Sequence, residues 1–401
     1  MRILIVSNLY PPQELGGYGR SMADFAWGFL QRGHQVTVLT SDAPYLHADA
    51  CLPSDVGPNG EVVDRRLQLK GSYQRGVTLM TDLAQCLSVD RANQFVVRSI
   101  MEQSWDGVVV GNIDCLGPEL LGMLLQGSIP ILHHIGFMDP PFLLQQWPSS
   151  SQYIPVAASH AVRSNLQRHG LPVAHAPVVY PGVRSELFGD SNRPLTPALR
   201  FAQRLQSVGL PLGSKTNPLK VGFAGLLMGT KGVHTLAEAL VILHQQGIAV
   251  QACFAGAEFQ LGYLQTLQQY LDHAGMHGLV HFVGQLSRSA LSRFWNLHHI
   301  GVFTSIYPEA FGIVAAEVMA AGATLVSSAV GGAAELVPSD LTGRRYTPGE
   351  ASELASVLRC LVRDPQVLFE CAQQGQSLVR SRFDVLASVV QLEQLVLQQR
   401  K

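Results

Sequence analysis

Two carboxylates and a glycine carry the clearest chemical signal in the chain. They lie in Pro308-Glu309-Ala310-Phe311-Gly312-Ile313-Val314-Ala315-Ala316-Glu317. The apolar run Ile300-Gly301-Val302-Phe303-Thr304 precedes this stretch, and Met319-Ala320-Ala321-Gly322 follows it. The pattern predicts a buried strand, a tight turn and a helix from about Gly312 to Ala321 that stops at Gly322. Glu309 then sits in the turn and Glu317 two turns into the helix, at a rise of 1.5 Å per residue roughly 12 Å away or less. Between them the amides of Gly312, Ile313 and Val314 open a helix N-terminus, where unpaired N–H groups and the helix dipole favour an anion. Gly312 permits close approach by a ligand. A molecule with phosphate in its middle and a hydroxylated sugar at each end fits that spacing. Taken alone, the same residues also read as an ordinary strand-helix unit with two solvated glutamates.

Other reactive residues fall at ends of predicted strands. Lys231 closes Gly225-Leu226-Leu227-Met228-Gly229-Thr230-Lys231-Gly232, which follows the apolar Val221-Gly222-Phe223-Ala224. His133 and His134 end the strand Ile129–His134, at the edge where open α/β sheets hold ligands. Neighbouring strand residues point to opposite faces, so one histidine at most serves a ligand there, by bonding a sugar hydroxyl or phosphate. Gly16 and Gly17 lie in a loop after Ile3-Leu4-Ile5-Val6. The dinucleotide fingerprint is absent, because Gly17-Tyr18-Gly19 lacks a third glycine. A phosphate-binding P-loop is absent too, since Gly232 stands where Ser or Thr is needed.

These residues need two doubly wound halves to position them. With 401 residues, 47% hydrophobic and 14% charged, the chain exceeds one core and reads as globular. The formal net charge of −1 comes with no basic tract for a nucleic-acid backbone. Six cysteines show no Cys-x-x-Cys pair, as expected of free thiols in a reducing compartment. No leader and no membrane-spanning run is legible. We therefore expect a cytoplasmic protein, with peripheral contact at the inner face of a membrane left open. Strands and helices alternate from the first residues, with a helix over Ser21–Arg32. Residues 41–104 are less legible. Their arginines Arg65, Arg66, Arg75, Arg91 and Arg98 read as a solvated face, or as lining for an acceptor or for anionic lipid. Ser159 is placed to cap a helix carrying Arg163. Prolines 194, 197, 211 and 218 punctuate a change in composition, with one short helical piece near Ala198–Gln206. Alternation resumes at Leu219, and helices over 350–363, 365–380 and 385–400 close the chain. The expected division is an N-terminal Rossmann-like domain over 1–195, a linker over 196–217, a second over 218–380, and a C-terminal helix over 381–401 packing back toward the first.

In this order the motifs resemble the retaining glycosyltransferases of family 4, the group 1 nucleotide-sugar transferases with the GT-B fold. The stretch from Glu309 to Glu317, with Phe311-Gly312, Met319–Gly322 and Gly331-Gly332-x-x-Glu335, is its most specific part. Gly16-Gly17, Arg32-Gly33-His34, Ser159–Arg163, Pro181-Gly182-Val183 and Lys231-Gly232 support it. The resemblance implies two Rossmann-like domains facing across a cleft, the C-terminal one holding the nucleotide. It implies metal-free transfer of a sugar, with retention, to a hydroxyl of a saccharide, glycolipid or small molecule, and no cofactor beyond the sugar donor. Catalytic roles would fall to Glu309, His134 and Lys231. Donor contacts would come from Glu317 to the ribose, from Phe311, Gly312, Ile313 and Val314 to sugar and diphosphate, from Val283 and Gly284 to the base, and from Gly16 and Gly17. Arg20, Arg163 and His133 are further candidates for phosphate or acceptor.

The chain departs from the family at Leu226, where an arginine usually grips the diphosphate beside Lys231. Arg20, Arg163 and Arg345 are candidate replacements. The family's histidine also sits slightly past His134, near Gly136, and Arg184 replaces an acid. These departures sustain an alternative, a non-catalytic nucleotide-sugar- or carbohydrate-binding relative. A GT-B epimerase or phosphorylase is a third reading. Donor sugar, base, linkage and oligomeric state are not legible.

Overall fold

A computed structural model describes residues 1–46, 54–74, 76–189, 192 and 194–399. Arg75, Cys51 and Asp190 lie outside the described residues. The chain forms two compact units, Met1–Gly182 with Val385–Lys401, and Val183–Asp384.

In the first unit, continuous apolar runs build strands covered on both faces. The order is β1 (Arg2–Ser7), α1 (Tyr18–Gln31), β2 (Gln35–Ser41), β3 (Ser54–Val56), β4 (Val62–Leu67), β5 (Gly71–Ser72), β6 (Thr78–Leu79), α2 (Leu83–Met101), β7 (Gly107–Val110), α3 (Glu119–Leu124), β8 (Ile131–Ile135), β9 (Tyr153–Ala157) and α4 (His160–Arg168). Seven strands form one sheet ordered β3-β4-β2-β1-β7-β8-β9, and β5 pairs with β6 apart from it. All ladders in the large sheet are parallel except β3 with β4. One face packs under Phe25, Ala26 and Phe29 of α1, the other under Val97 and Ile100 of α2 and Leu121 of α3. Helix α1 starts at Tyr18, three residues before the expected Ser21, so Gly17 is its N-cap. Ser159 caps α4, accepting from Val162 N–H at 3.1 Å. Arg65 does not line a surface. It is buried, donates to Tyr10 O and Pro11 O, and pairs with Asp55. Arg66 is held by Asp64.

The second unit runs α5 (Pro197–Ser207), β10 (Leu219–Ala224), α6 (Val233–Gln245), β11 (Val250–Ala255), α7 (Tyr263–His273), β12 (Val280–Gly284), α8 (Arg288–Asn296), β13 (Ile300–Phe303), α9 (Ile313–Ala321), β14 (Thr324–Ser327), β15 (Arg344–Arg345), α10 (Ala351–Arg363) and α11 (Pro365–Arg382). Its sheet, ordered β12-β11-β10-β13-β14-β15, is parallel throughout. Strand order reverses between β10 and β13, and the crevice beyond the carboxyl ends of such a pair is where open α/β sheets bind ligands. The stretch 196–217, expected to be a linker with a short helical piece near 198–206, does carry that helix, α5, but it belongs to the second unit. Thr196 caps α5 through Leu199 N–H, Pro197 takes its first turn, and Leu199, Ala202 and Leu212 enter the core of this unit. The division falls after Gly182 rather than at 195. The last helix, α12 (Val385–Gln398), belongs to the first unit, where Val385, Val389 and Leu392 join the core beneath α1.

Candidate active site

In the second unit Lys231 and Glu309 leave the two strands that flank the reversal of strand order. After β10 the chain makes one 3-10 turn, Gly229–Lys231, and Gly232 ends it in the left-handed region at φ +63°. A Cβ at Gly232 would lie 2.0 Å from Thr304 O, so only glycine lets this loop lie against the end of β13. Thr304 Oγ1 donates to Lys231 O at 2.6 Å, and Ile306 N–H donates to Thr230 O at 3.0 Å. The two loops are thereby tied together, which aims Lys231 at the turn after β13.

That turn is held from its other side. Glu309 O accepts the Gly332 N–H at 2.7 Å, and Glu309 bridges Gly331 in parallel fashion. The Glu309 carboxylate meets Lys231 Nζ at 2.5 Å and the Ser305 hydroxyl at 2.7 Å, both on Oε1. Three residues on, Gly312 caps α9 at φ +88°. The first turn of α9 therefore opens with amides that lack intrahelical acceptors. Phe311 is buried, its ring 5.7 Å from that of Phe383. Glu317 lies in the second turn of α9 and is 1% exposed, so it is not a solvated glutamate. Gly322 ends the helix in the left-handed region, as the sequence predicts. An ammonium, a carboxylate and a helix N-terminus thus converge beyond the carboxyl ends of the two central strands. Together they suit a ligand that pairs phosphate with hydroxyls. Val283 and Gly284 end the outermost strand, β12, with Val283 exposed.

Of the arginines proposed to replace one at Leu226, Arg345 lies in this unit. It donates from Nε to Val337 O at 2.7 Å and from Nη2 to Ala334 O at 2.9 Å. Its guanidinium is committed to backbone carbonyls. Among the described residues no group of three or more His, Cys, Asp or Glu is arranged to hold a metal ion.

The remaining candidates lie in the first unit. Gly16 is exposed at φ +71°, and Gly17 caps α1. Arg20 pairs with Glu14 at 3.4 Å. Arg163 donates to Ala176 O at 3.2 Å and contacts His160 Nδ1 at 3.1 Å. The expectation that His134 offers a ring nitrogen to a ligand is not met. His134 is fully buried, with Nε2 2.8 Å from Val179 O and Nδ1 2.7 Å from the Tyr18 hydroxyl. The tautomer consistent with this network donates Nε2–H to Val179 O and accepts from Tyr18 at Nδ1. Burial pushes its pKa down to about 4. His133 is buried as well, with Nδ1 2.9 Å from the Tyr153 hydroxyl and its ring stacked on Phe142. Burial, with His134 beside it, takes its pKa down to about 3.

Sequence reasoning missed two groups. One is Ser305, which presents only as a small polar residue after an apolar strand. The other lies at the carboxyl ends of β1 and β7, where Asn8 Nδ2 donates to Tyr73 Oη and Asp114 Oδ1, both at 2.7 Å. Tyr73 in turn donates to Asp114 Oδ2 at 2.6 Å. Burial raises the Asp114 carboxyl above its usual value.

Residues 211–377 match the family model described as "Glycosyl transferases group 1". Glycogen synthase of Mycobacterium tuberculosis is 27% identical over 395 residues, 96% of this chain and 91% of the relative. Two solved structures share the architecture. HepE of Anabaena, in complex with UDP and glucose, has a TM-score of 0.72 at 22% identity, covering 99% of each chain. Sucrose-phosphate synthase from Thermosynechococcus elongatus has a TM-score of 0.76 at 17% identity, again over 99% of each chain. No helix among the described residues is long and apolar enough to cross a membrane. The matched stretch contains Lys231, Glu309, Gly312 and Glu317, and with these relatives it supports a group 1 glycosyltransferase of the GT-B fold.

Proposed function

We propose that the protein is a retaining, metal-independent glycosyltransferase that moves a sugar from a nucleoside-diphosphate sugar to a hydroxyl acceptor. The observation that carries this reading is the Lys231–Glu309 contact of 2.5 Å at the strand-order reversal, beside the N-terminus of α9. In this reading Lys231 and the amides of Phe311 to Val314 take the diphosphate. Glu309 takes a hydroxyl of the donor sugar, and Glu317 takes the ribose hydroxyls. Val283 and Gly284 lie along the base. Gly16 and Gly17, at the start of α1, leave room for phosphate or acceptor. The neighbour bound to UDP and glucose supports a nucleotide-sugar donor.

Transfer makes a bond from the acceptor oxygen to the anomeric carbon and breaks the bond from that carbon to phosphate oxygen. With retention both events occur on one face, and a phosphate oxygen of the leaving group receives the acceptor's proton. What the protein supplies is position and stabilisation of the departing anion. A glycosidase-type pair of carboxylates is not needed. The five described cysteines are all free, which fits a reducing, cytoplasmic compartment.

The test is incubation with UDP-, GDP- and ADP-sugars, with and without acceptors, reading nucleoside diphosphate release in the presence of EDTA. Proton NMR of the product reads the anomeric configuration. Glu309→Ala and Glu317→Ala are expected to lose most turnover while remaining folded. Silence across the donor panel, or full activity in both variants, refutes the proposal. An inverted product refutes retention alone.

A further inference from the structure

Resting on the function proposed above, we infer that Ser305 is a positioning residue that keeps the Glu309 carboxylate oriented when Lys231 turns to the diphosphate. Ser305 lies two residues beyond the end of β13 and is buried. Its hydroxyl has a single proton. The nearest acceptor is the charged Glu309 Oε1 at 2.7 Å, against Tyr307 O at 3.2 Å and Thr230 O at 3.3 Å. The backbone of Ser305 is fixed as well, since its carbonyl accepts the Ser328 hydroxyl at 2.6 Å. Lys231 Nζ bonds the same oxygen of Glu309 at 2.5 Å.

The two partners of that oxygen differ in what a donor does to them. The lysine is a flexible, half-buried cation, and an arriving diphosphate competes with Glu309 for it. The serine is neutral, short and anchored to the end of a strand, so a phosphate gives it no reason to move. With Ser305 in place, Oε1 stays where it is and Oε2 keeps its direction as the ammonium is drawn away. Without it, the carboxylate rotates freely at the moment the sugar has to be held.

Ser305→Ala and Ser305→Thr test this on the full-length protein. Two quantities are read: the Kd of the nucleoside diphosphate that the wild type binds, and kcat and KM for the matching sugar donor. For Ser305→Ala we expect kcat to fall about 10-fold, the size of a hydrogen bond to a charged group, with the nucleoside diphosphate Kd changed by less than about twofold. Ser305→Thr, which keeps the hydroxyl, is expected to restore most of kcat. A folded Ser305→Ala with kcat near wild type overturns the inference. So does an equal loss of nucleoside diphosphate binding and of kcat, which marks a damaged loop. Should Ser305→Ala fail to fold, Ser305→Cys keeps the volume, weakens the donor and carries the same two readouts. A wild type that neither binds nucleotides nor releases them from any donor sinks the functional proposal itself, an outcome distinct from these.

Discussion

Lys231 and Glu309 make opposite predictions for a nucleoside diphosphate that carries no sugar. Their side chains are 32% and 22% exposed, so water screens the pair, and it contributes roughly 0.5–1 kcal/mol. A lysine bonded to diphosphate contributes about 1.5–3 kcal/mol as a charged hydrogen bond. Binding trades the first for the second, leaving a net of about 0.5–2.5 kcal/mol. Lys231→Ala should therefore weaken nucleoside diphosphate binding roughly 2- to 70-fold. Glu309→Ala releases the lysine and removes a nearby negative charge, and should tighten the same binding roughly 2- to 5-fold. Turnover of the sugar donor falls in both variants. Isothermal titration at two salt concentrations measures this, and raising salt should shrink both effects. If Glu309→Ala weakens the nucleoside diphosphate as much as Lys231→Ala does, the two side chains do not compete, and the account of the site fails.

Gly232→Ala places a Cβ 2.0 Å from Thr304 O and forces a left-handed alanine, a cost of about 1–2 kcal/mol before the clash. We expect a melting temperature lower by about 4 °C or more and loss of nucleotide binding, and an unchanged melting curve would contradict the loop geometry. His133 and His134 have native pKa values lowered to about 3 and about 4, so both stay neutral while the unfolded chain protonates near 6.5. Their stabilisation is complete above pH 6.5 and is lost as pH falls toward 4, about 2 kcal/mol for each by pH 5. Thermal melts across that range, with an NMR titration of the rings, check it, and a His134 ring titrating near 6.5 refutes the burial argument. Leu226→Arg should tighten nucleoside diphosphate binding roughly 10-fold at low salt by adding a cation to the Lys231 loop, and no change in Kd would place that position away from the phosphates.

The sequence was legible where one local rule decides the outcome. In the second unit β10, β11, β13 and β14 are short, largely apolar runs, helices such as α8 and α10 are amphipathic, and glycines mark where helices stop, as Gly322 does for α9. The 41–104 region resisted reading because β3, β5 and β6 are two or three residues long and lack a period. Prolines misled at 196–217. The short helix was legible between them, but proline clusters read as linker, and only the burial of Leu199 and Ala202 makes that helix part of the second unit's core. His134 failed for a different reason. Its place at a strand end is local information, but the partners that fill both ring nitrogens, Tyr18 and Val179, lie 116 and 45 residues away. Ser305 was missed because one hydroxyl in a loop carries no pattern.

Leu226 bears on how the proposed donor site must work. A diphosphate leaving group carries two or more negative charges, and one lysine balances only part of them. Arg345 could have made up the difference from within the same unit, but its guanidinium is spent on Ala334 O and Val337 O. Those carbonyls belong to the short helical turn Gly332–Leu336 and the residue after it, and the same turn begins with the amide that holds Glu309 O. Arg345 therefore serves the site through the backbone, by fixing the turn against which Glu309 is pinned. In the proposed site the second unit would then offer the phosphates Lys231 and the first-turn amides of α9, which has no side-chain cap. Amides cannot be drawn off by a competing carboxylate, whereas Lys231 is shared with Glu309 at 2.5 Å. In the proposed donor site Lys231 is therefore the adjustable charge, and Glu309, which shares it, is the group expected to regulate it.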